Sequence, residues 1–288
     1  MITATRHPAD QVKITVICDN TAVAAGTLGE HGLAVLVETP AGRLLLDTGA
    51  GHSLLHNAEA LGIDLCTVDA IAISHGHQDH SGGLAELLAA RGSAAIHAHP
   101  AVFSDRYSVR EGHEPRPNGM QHGREEYERL GAAWHLAEGP QEVMPGVWLS
   151  GEIARTTDFE WQDEGFRIKG PGEQFALDKI PDDQALVVST DEGLIIIAGC
   201  AHSGPVAMVR QVREQAPGRP VMALMGGLHL YRSGDERLAL TARALRFLDV
   251  RAAWAGHCTG FRAQMALARE YPGSFAPLGT GMVFPERR

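Results

Sequence analysis

Apolar positions along the chain alternate between two spacings, one of strands and one of helices, and their order predicts the architecture. Val12 to Asp19 (VKITVICD) is a strand run. Leu33 to Glu38 and Arg43 to Asp47 are two more, joined by Thr39-Pro40-Ala41-Gly42, which predicts an antiparallel hairpin. His52 to Leu61 has helical spacing and stops at Gly62. Ala70 to Ser74 (AIAIS) is a short buried strand, Gly82 to Arg91 a helix and Ala94 to His97 the next strand, a β-α-β rhythm. The same order returns later. Ala185 to Thr190 and Leu194 to Ala198 flank Asp191-Glu192-Gly193 as a second hairpin. Pro205 to Gln215 predicts a helix, Pro220 to Met225 a strand, Asp235 to Leu248 a helix, Ala252 to Ala255 a strand and Phe261 to Glu270 a helix. The tail from Ser274 to Phe284 adds one last strand. Two halves of hairpin, strand, helix and strand predict an α/β fold, a duplicated four-layer αββα sandwich, although no repeat exists at the level of residues. Between Pro100 and Asp183 the pattern weakens and Gly, Pro and charge dominate. The chain therefore reads as one domain over 1–288, with an elaborated insertion at about 100–183 that covers a site.

Composition narrows the class. A chain of 288 residues that is 44% hydrophobic can bury a substantial core. Its 33 glycines and 6% aromatics suit an α/β protein with many tight turns. The net charge of −10, with no Lys/Arg run beyond Arg287-Arg288, argues against nucleic acid as a partner. Cys18, Cys66, Cys200 and Cys258 form no CxxC pair, so they read as free thiols of a reducing compartment. The opening MITATRHPADQVKITVICDN has no apolar core of a signal peptide, and no apolar run is long enough for a bilayer. The expectation is a cytoplasmic protein with no membrane partner.

The chemistry is concentrated at strand ends. Ser74-His75-Gly76-His77-Gln78-Asp79-His80 follows AIAIS directly. His75 and His77, two apart in extended backbone, point to one side and can share a metal. Asp79 and His80 come as the chain turns into a helix and can diverge toward a second one. Imidazole with carboxylate suits Zn²⁺ or Fe²⁺. A surface loop rich in His by chance would not place three His and an Asp in six residues behind a buried strand. Further ligands must come from elsewhere, and two strands supply candidates: Leu194 to Ala198 runs into Gly199-Cys200-Ala201-His202, and Ala252 to Ala255 into Gly256-His257-Cys258-Thr259-Gly260. Gly226-Gly227-Leu228-His229 ends a third strand, with His229 a ligand, a substrate contact, a proton shuttle or a structural histidine. Leu44-Leu45-Leu46-Asp47 ends in an acid placed to orient a ligand histidine through its other ring nitrogen.

These segments resemble the metallo-β-lactamase superfamily: LLLDTG, then SHGHQDHSGGL, then GCAHSG, GGLHL and GHCTG in family order. With Glu30-His31-Gly32-Leu33, Leu149 to Arg155 and Asp182-Asp183-Gln184-Ala185-Leu186, the pattern is similar to one branch, the dihydropterin ribofuranosylaminobenzene phosphate synthase-like proteins. The resemblance implies the αββα sandwich of that superfamily and a metal site made by His75, His77, Asp79, His80 and His257. Many members carry a bridging Asp where this chain has Gly199-Cys200, and another mid-chain histidine finds no match near Val147 to Glu152; the resemblance implies His202 as the substitute. Cys200 is either a ligand, since thiolate suits zinc, or a small buried residue behind the ligands, and the second reading is the one adopted.

The resulting expectation is two divalent metal ions, Zn²⁺ first with Fe or Mn as alternatives, about 3.5–4 Å apart and sharing a hydroxide that attacks a small ester, lactone or phosphoester. Asp79 would orient the nucleophile and His202 or His229 would protonate the leaving group. Arg106, Arg110, Arg116 and Arg155 of the insertion, with His229, would meet an anionic small-molecule substrate. Other readings are a dihydropterin phosphate synthase-like transferase, a di-iron redox enzyme, and a metal-holding module without turnover. A homodimer is expected only by analogy.

Overall fold

The computed structural model describes residues 5–160, 163–170, 172 and 174–285. The basic pair Arg287-Arg288 and the first four residues lie outside them. In the first half come β1 (Lys13–Cys18), β2 (Ala34–Thr39), β3 (Gly42–Leu46), α1 (Leu54–Ala60), β4 (Ala70–Ala72), α2 (Gln78–Ser81), α3 (Leu84–Arg91) and β5 (Ala94–Ala98). The middle holds β6 (Arg106–Ser108), β7 (Arg116–Pro117), α4 (Arg124–Arg129), β8 (Ala132–Leu136), β9 (Gln141–Met144), β10 (Val147–Leu149), β11 (Phe166–Lys169) and β12 (Phe175–Leu177). The second half is β13 (Ala185–Ser189), β14 (Leu194–Ala198), α5 (Pro205–Gln215), β15 (Val221–Gly227), α6 (Asp235–Phe247), β16 (Val250–Gly256), α7 (Phe261–Glu270), β17 (Phe275–Pro277) and β18 (Val283–Phe284).

These strands form two seven-stranded sheets, in the orders β18-β1-β2-β3-β4-β5-β8 and β17-β16-β15-β14-β13-β10-β9. Side chains alternate across each sheet, and both faces are buried. Leu44 and Leu46 of β3 meet Ile195 and Ile197 of β14 in the core between the sheets. Leu45 of β3 faces the other way, onto Leu54 of α1 and Leu84, Leu87 and Leu88 of α3. Leu194, Ile196 and Ala198 of β14 face Val206, Val209 and Val212 of α5. Period-2 strands buried on both sides need a layer on each, and the result is helices, sheet, sheet, helices. Among the described residues no helix is long and apolar enough to cross a membrane.

Two features differ from the sequence pattern. The tail contains two short strands rather than one: β17 runs parallel to β16, and β18 pairs antiparallel with β1 in the opposite sheet. The chain thus crosses the sandwich between residues 277 and 283. The stretch from 100 to 183 is also mixed. Strand β8 extends the first sheet, while β9 and β10 extend the second. Edge strands show one dry face or less, as in β8, where only Ala132 is buried, so their periodicity is faint. The remainder forms a small four-stranded sheet, β12-β11-β6-β7.

Arg106 fastens that small sheet to the sandwich. Its Nε donates to Asp178 Oδ2 at 2.8 Å, its Nη1 to Asp182 Oδ2 at 2.8 Å and its Nη2 to Asp182 Oδ1 and to the Ala101 carbonyl. Asp182 Oδ2 also accepts the Gly76 N–H at 2.7 Å, so the network grips the loop after β4. Burial works against the charge on Asp182, yet Arg106 holds its carboxyl below the usual range. The sequence expectation that Arg106 meets substrate is therefore corrected: the guanidinium is buried and fully engaged by the protein. Replacing it strands two buried carboxylates. Arg106→Met should cost about 3–5 kcal/mol in urea unfolding of the metal-free protein. Arg124→Ala, which removes an exposed i,i+4 pair with Glu128, should cost less than about 0.5 kcal/mol. Equal costs would contradict this assignment.

Candidate metal centre

Carboxyl ends of strands from both sheets converge on one spot. From the first sheet come Asp47 after β3 and residues 74–80 after β4; from the second come residues 199–202 after β14, His229 after β15 and His257 after β16. Asp47, Ala201, His229 and His257 all have positive φ, between 46° and 60°. For residues with a Cβ this costs about 1–2 kcal/mol each, and such strain gathers where side chains must be aimed.

Gly76 makes the first turn of this loop possible. A Cβ there would lie 2.1 Å from the Val102 carbonyl oxygen. The backbone therefore passes tight against residues 99–103, and His75 and His77 face inward on either side. His75 Nε2 lies 3.0 Å from His77 Nδ1, and His202 Nε2 lies 3.1 Å from the same atom. A second group forms one step away. His80 Nε2 lies 3.2 Å from His257 Nε2, and Asp79 Oδ2 lies 3.3 Å from His257 Nε2 and 3.8 Å from His80 Nε2.

Buried partners fix the other ring nitrogens. Asp47 Oδ2 accepts from His80 Nδ1 and from Ser74 Oγ, both at 2.7 Å, and Asp47 Oδ1 accepts from the Ser74 N–H. Ser74 Oγ lies 3.0 Å from His75 Nδ1. His257 Nδ1 lies 2.9 Å from Asn20 Oδ1, and the His257 N–H donates to Asp19 Oδ2. Amide and carboxylate oxygens only accept, so Nδ1 of His80 and of His257 carries hydrogen. In the neutral rings both Nε2 atoms are then lone pairs facing each other at 3.2 Å, an arrangement that needs a cation or an added proton. The donor set of imidazoles, one carboxylate and thiol fits a borderline divalent metal.

Electrostatics agree. Burial, with the neighbouring rings, holds His75 and His202 well below the usual histidine range. Burial and then Arg106 bring His77 down to about 3. Three neutral imidazoles are what metal ligation requires. For His257 burial acts in the same sense, but Cys258 and Asp79 outweigh it and hold the ring protonated. Burial also opposes the charge on Asp79, which His80 and His257 overcome.

The remaining candidates separate. The sequence reading set Cys200 behind the ligands; instead its Sγ lies within ligating reach of both groups, with His75 and His202 on one side and His80 and His257 on the other. Cys258 Sγ is 3.2 Å from Cys200 Sγ and accepts the His229 N–H. His229 Nε2 pairs with Asp163 Oδ2 at 3.7 Å. Burial lowers the His229 pKa, but Asp163 and Cys258 prevail and raise it to about 9. Arg155 was expected at the substrate; its Nη1 donates to the His202 carbonyl at 2.7 Å and its Nη2 to the Lys179 carbonyl, so it braces the His202 turn. Arg110 chelates Asp163 in a two-point bridge and lies over the Phe166 ring.

A cavity of about 520 Å³ opens on the centre. Arg110, Arg116, Arg232, Phe166, Tyr231 and His229 form much of its wall. Several contributors escaped the sequence reading. His31 Nε2 stands 3.3 Å from Asp79 Oδ2 at the rim, and only the segment Glu30 to Leu33 pointed there. Asp19 and Asn20 follow β1 with no neighbouring histidine to mark them, and Asp163 lies in the weakly patterned insertion.

Comparison with known proteins fits this geometry. Residues 28–257 match the family model of the metallo-beta-lactamase superfamily. A 7,8-dihydropterin-6-methyl-4-(beta-D-ribofuranosyl)-aminobenzene-5'-phosphate synthase of Methanocaldococcus jannaschii is 32% identical over 268 residues, 88% of this chain and 89% of that protein. The crystal structure of Tm1679, a metal-dependent hydrolase of the beta-lactamase superfamily, superposes with a TM-score of 0.83 at 28% identity, covering 96% of this chain and all of that one. The metallo-beta-lactamase fold protein YhfI of Bacillus subtilis gives a TM-score of 0.57 at 14% identity, over 95% and 98% of the two chains. On the extent of the family match and the near full-length alignment with the synthase, the chain belongs to the metallo-beta-lactamase superfamily.

Proposed function

We propose that this protein is a dinuclear-metal enzyme that hydrolyses a small anionic ester, a phosphoester before a lactone or neutral ester. The observation that carries the reading is the pair of donor groups opening on a cavity walled by Arg110, Arg116 and Arg232. His75, His77 and His202 would hold one ion, and Asp79, His80 and His257 the other, with zinc the first choice for this donor set. When bound, such ions supply Lewis acidity and an activated water. The protein's own groups do the rest. Asp47 and Asn20 fix the ring orientations of His80 and His257. Asp79, partly exposed to the cavity, orients the nucleophile. With Nε2 of His202 turned to the metal group, the acid role falls to His229, which Asp163 keeps protonated. Arg116 and Arg232 meet the anionic group, since guanidinium matches phosphate in a fork. The Phe166 ring, tilted against that of His77 with centroids 4.8 Å apart, covers one side of the site.

The identity to the synthase supports a second reading, group transfer in which an organic nucleophile replaces water. Hydrolysis of chromogenic phosphoesters in ¹⁸O-water decides between them. The hydrolase reading expects metal-dependent turnover with label in the product. Absence of turnover, together with tight dihydropterin binding, would favour transfer.

Four outcomes are expected. His77→Ala should lose one metal per chain and all measurable turnover, while Asp47→Ala should weaken metal binding about 10–100-fold by equilibrium dialysis. His229→Ala should slow phosphoesters with poor leaving groups by about 10²–10⁴-fold but spare nitrophenyl esters, whose leaving group needs no proton. Metal loading should depend on pH in a split manner. The His75, His77 and His202 rings are already neutral, whereas His257 must lose a proton that its surroundings favour. Affinity on the His257 side therefore rises with pH. Metal analysis after dialysis should find about one ion per chain near pH 5.5 and about two near pH 8. A stoichiometry constant across that range would contradict the assignment of the protonated ring.

A further inference from the structure

The cysteine between the two donor groups has a position that burial alone does not explain. Cys200 Sγ belongs to the His75–His202 group and to the His80–His257 group at once, and it is 3.2 Å from His80 Nε2. No carboxylate other than Asp79 belongs to the groups that carry these histidines, among the described residues. We propose that Cys200 is a bridging thiolate ligand, shared by both metal ions, because its sulfur alone belongs to both histidine groups among the described residues. The inference rests on the reading that the centre holds two ions.

Local structure fixes the sulfur there. Gly199 has no room for a side chain: a Cβ would meet Ser74 Oγ at 2.0 Å and Ser74 Cβ at 2.7 Å. The end of β14 is thereby pressed against the Asp47–Ser74 pair that orients His75 and His80. Ala201 then turns at φ 54°, so Cys200 and His202 face the same centre from one short segment. Cys258 is the competing sulfur. It groups only with Cys200 and His229, it accepts the His229 N–H, and it belongs to neither histidine group. Its role is that of a neighbour to the ligating sulfur.

The chemistry balances without any oxidant. The Cys200 S–H bond breaks, its proton leaves to solvent, and the sulfur's lone pairs form one bond to each metal. A thiolate at the bridge changes which metals suit the site. Soft sulfur favours zinc, cobalt or iron(II) over magnesium or manganese. It also places a weaker hydrogen-bond acceptor than a carboxylate between the ions.

Cobalt(II) loading of the full chain tests this. Wild type should bind two cobalt ions and show a sulfur-to-cobalt charge-transfer band in the near ultraviolet. Cys200→Ser should keep a native circular dichroism spectrum and lose that band, while Cys258→Ser should keep it. X-ray absorption of the zinc-loaded wild type gives a measure independent of any variant. A bridge requires an average of one sulfur per zinc, at about 2.3 Å, whereas a terminal ligand gives half that number. Two bound metals with no sulfur at either, an average of half a sulfur, or a band that follows Cys258 instead would overturn the proposal and leave the dinuclear reading intact. Failure to bind metal at all would overturn both, and the stoichiometry reports that outcome separately. Cys200→Asp should shift preference from zinc toward manganese; an unchanged preference counts against the bridge.

Discussion

Buried at the carboxyl end of β3, the Asp47 carboxylate accepts the Ser74 amide, the Ser74 hydroxyl and the His80 ring N–H. A carboxylate with no access to water must find such donors or lose its charge. Satisfying it fixes β4 relative to β3, the direction of the loop that follows and the nitrogen that each ring turns inward. The second sheet meets this hub through Gly199, whose lack of a side chain brings β14 into contact with Ser74. Much of the centre depends on that one buried acid and on the space cleared for it.

A second anchor works across the sandwich from the other direction. Asp19 and Asn20, at the end of β1, receive the backbone and ring of His257 from the end of β16. The first sheet thus holds His257 of the second. Positive φ at Asp47, Ala201, His229 and His257 is the local cost of aiming these residues at one centre, and the buried hydrogen bonds offset it.

Period-2 strands and the two exactly placed helices α5 and α7 were legible because each has a strong apolar face and a clear start at Pro205 or after Gly260. The part of residues 75–80 in the candidate centre was legible because His, Asp and Gly crowd together behind a buried strand. Arginines were not. Arg106, Arg110 and Arg155 read alike as cations in a weakly patterned stretch, and only their distant acceptors distinguish them: Asp182, Asp163 and the His202 carbonyl. The place of Cys200 was hidden for a similar reason. Its sulfur lies within ligating reach of residues 75 and 257 alike, and linear spacing holds no trace of that. Asp19 and Asn20 were missed because they act on a histidine 237 or more positions away.

The short strand β18 pairs with β1, and Thr280 Oγ1 accepts the Asp19 N–H just beyond it. The two residues are 261 positions apart, so the segment that positions Asp19 emerges long after Asp19 during synthesis. Until residues 280–284 have emerged, the first sheet lacks this strand and the His257 anchor lacks its support. Such distant pairing closes slowly. A nascent chain exposes the His75–His80 loop long before residues 200–202 and 257 exist, so the two donor groups assemble only after the second sheet has joined the first.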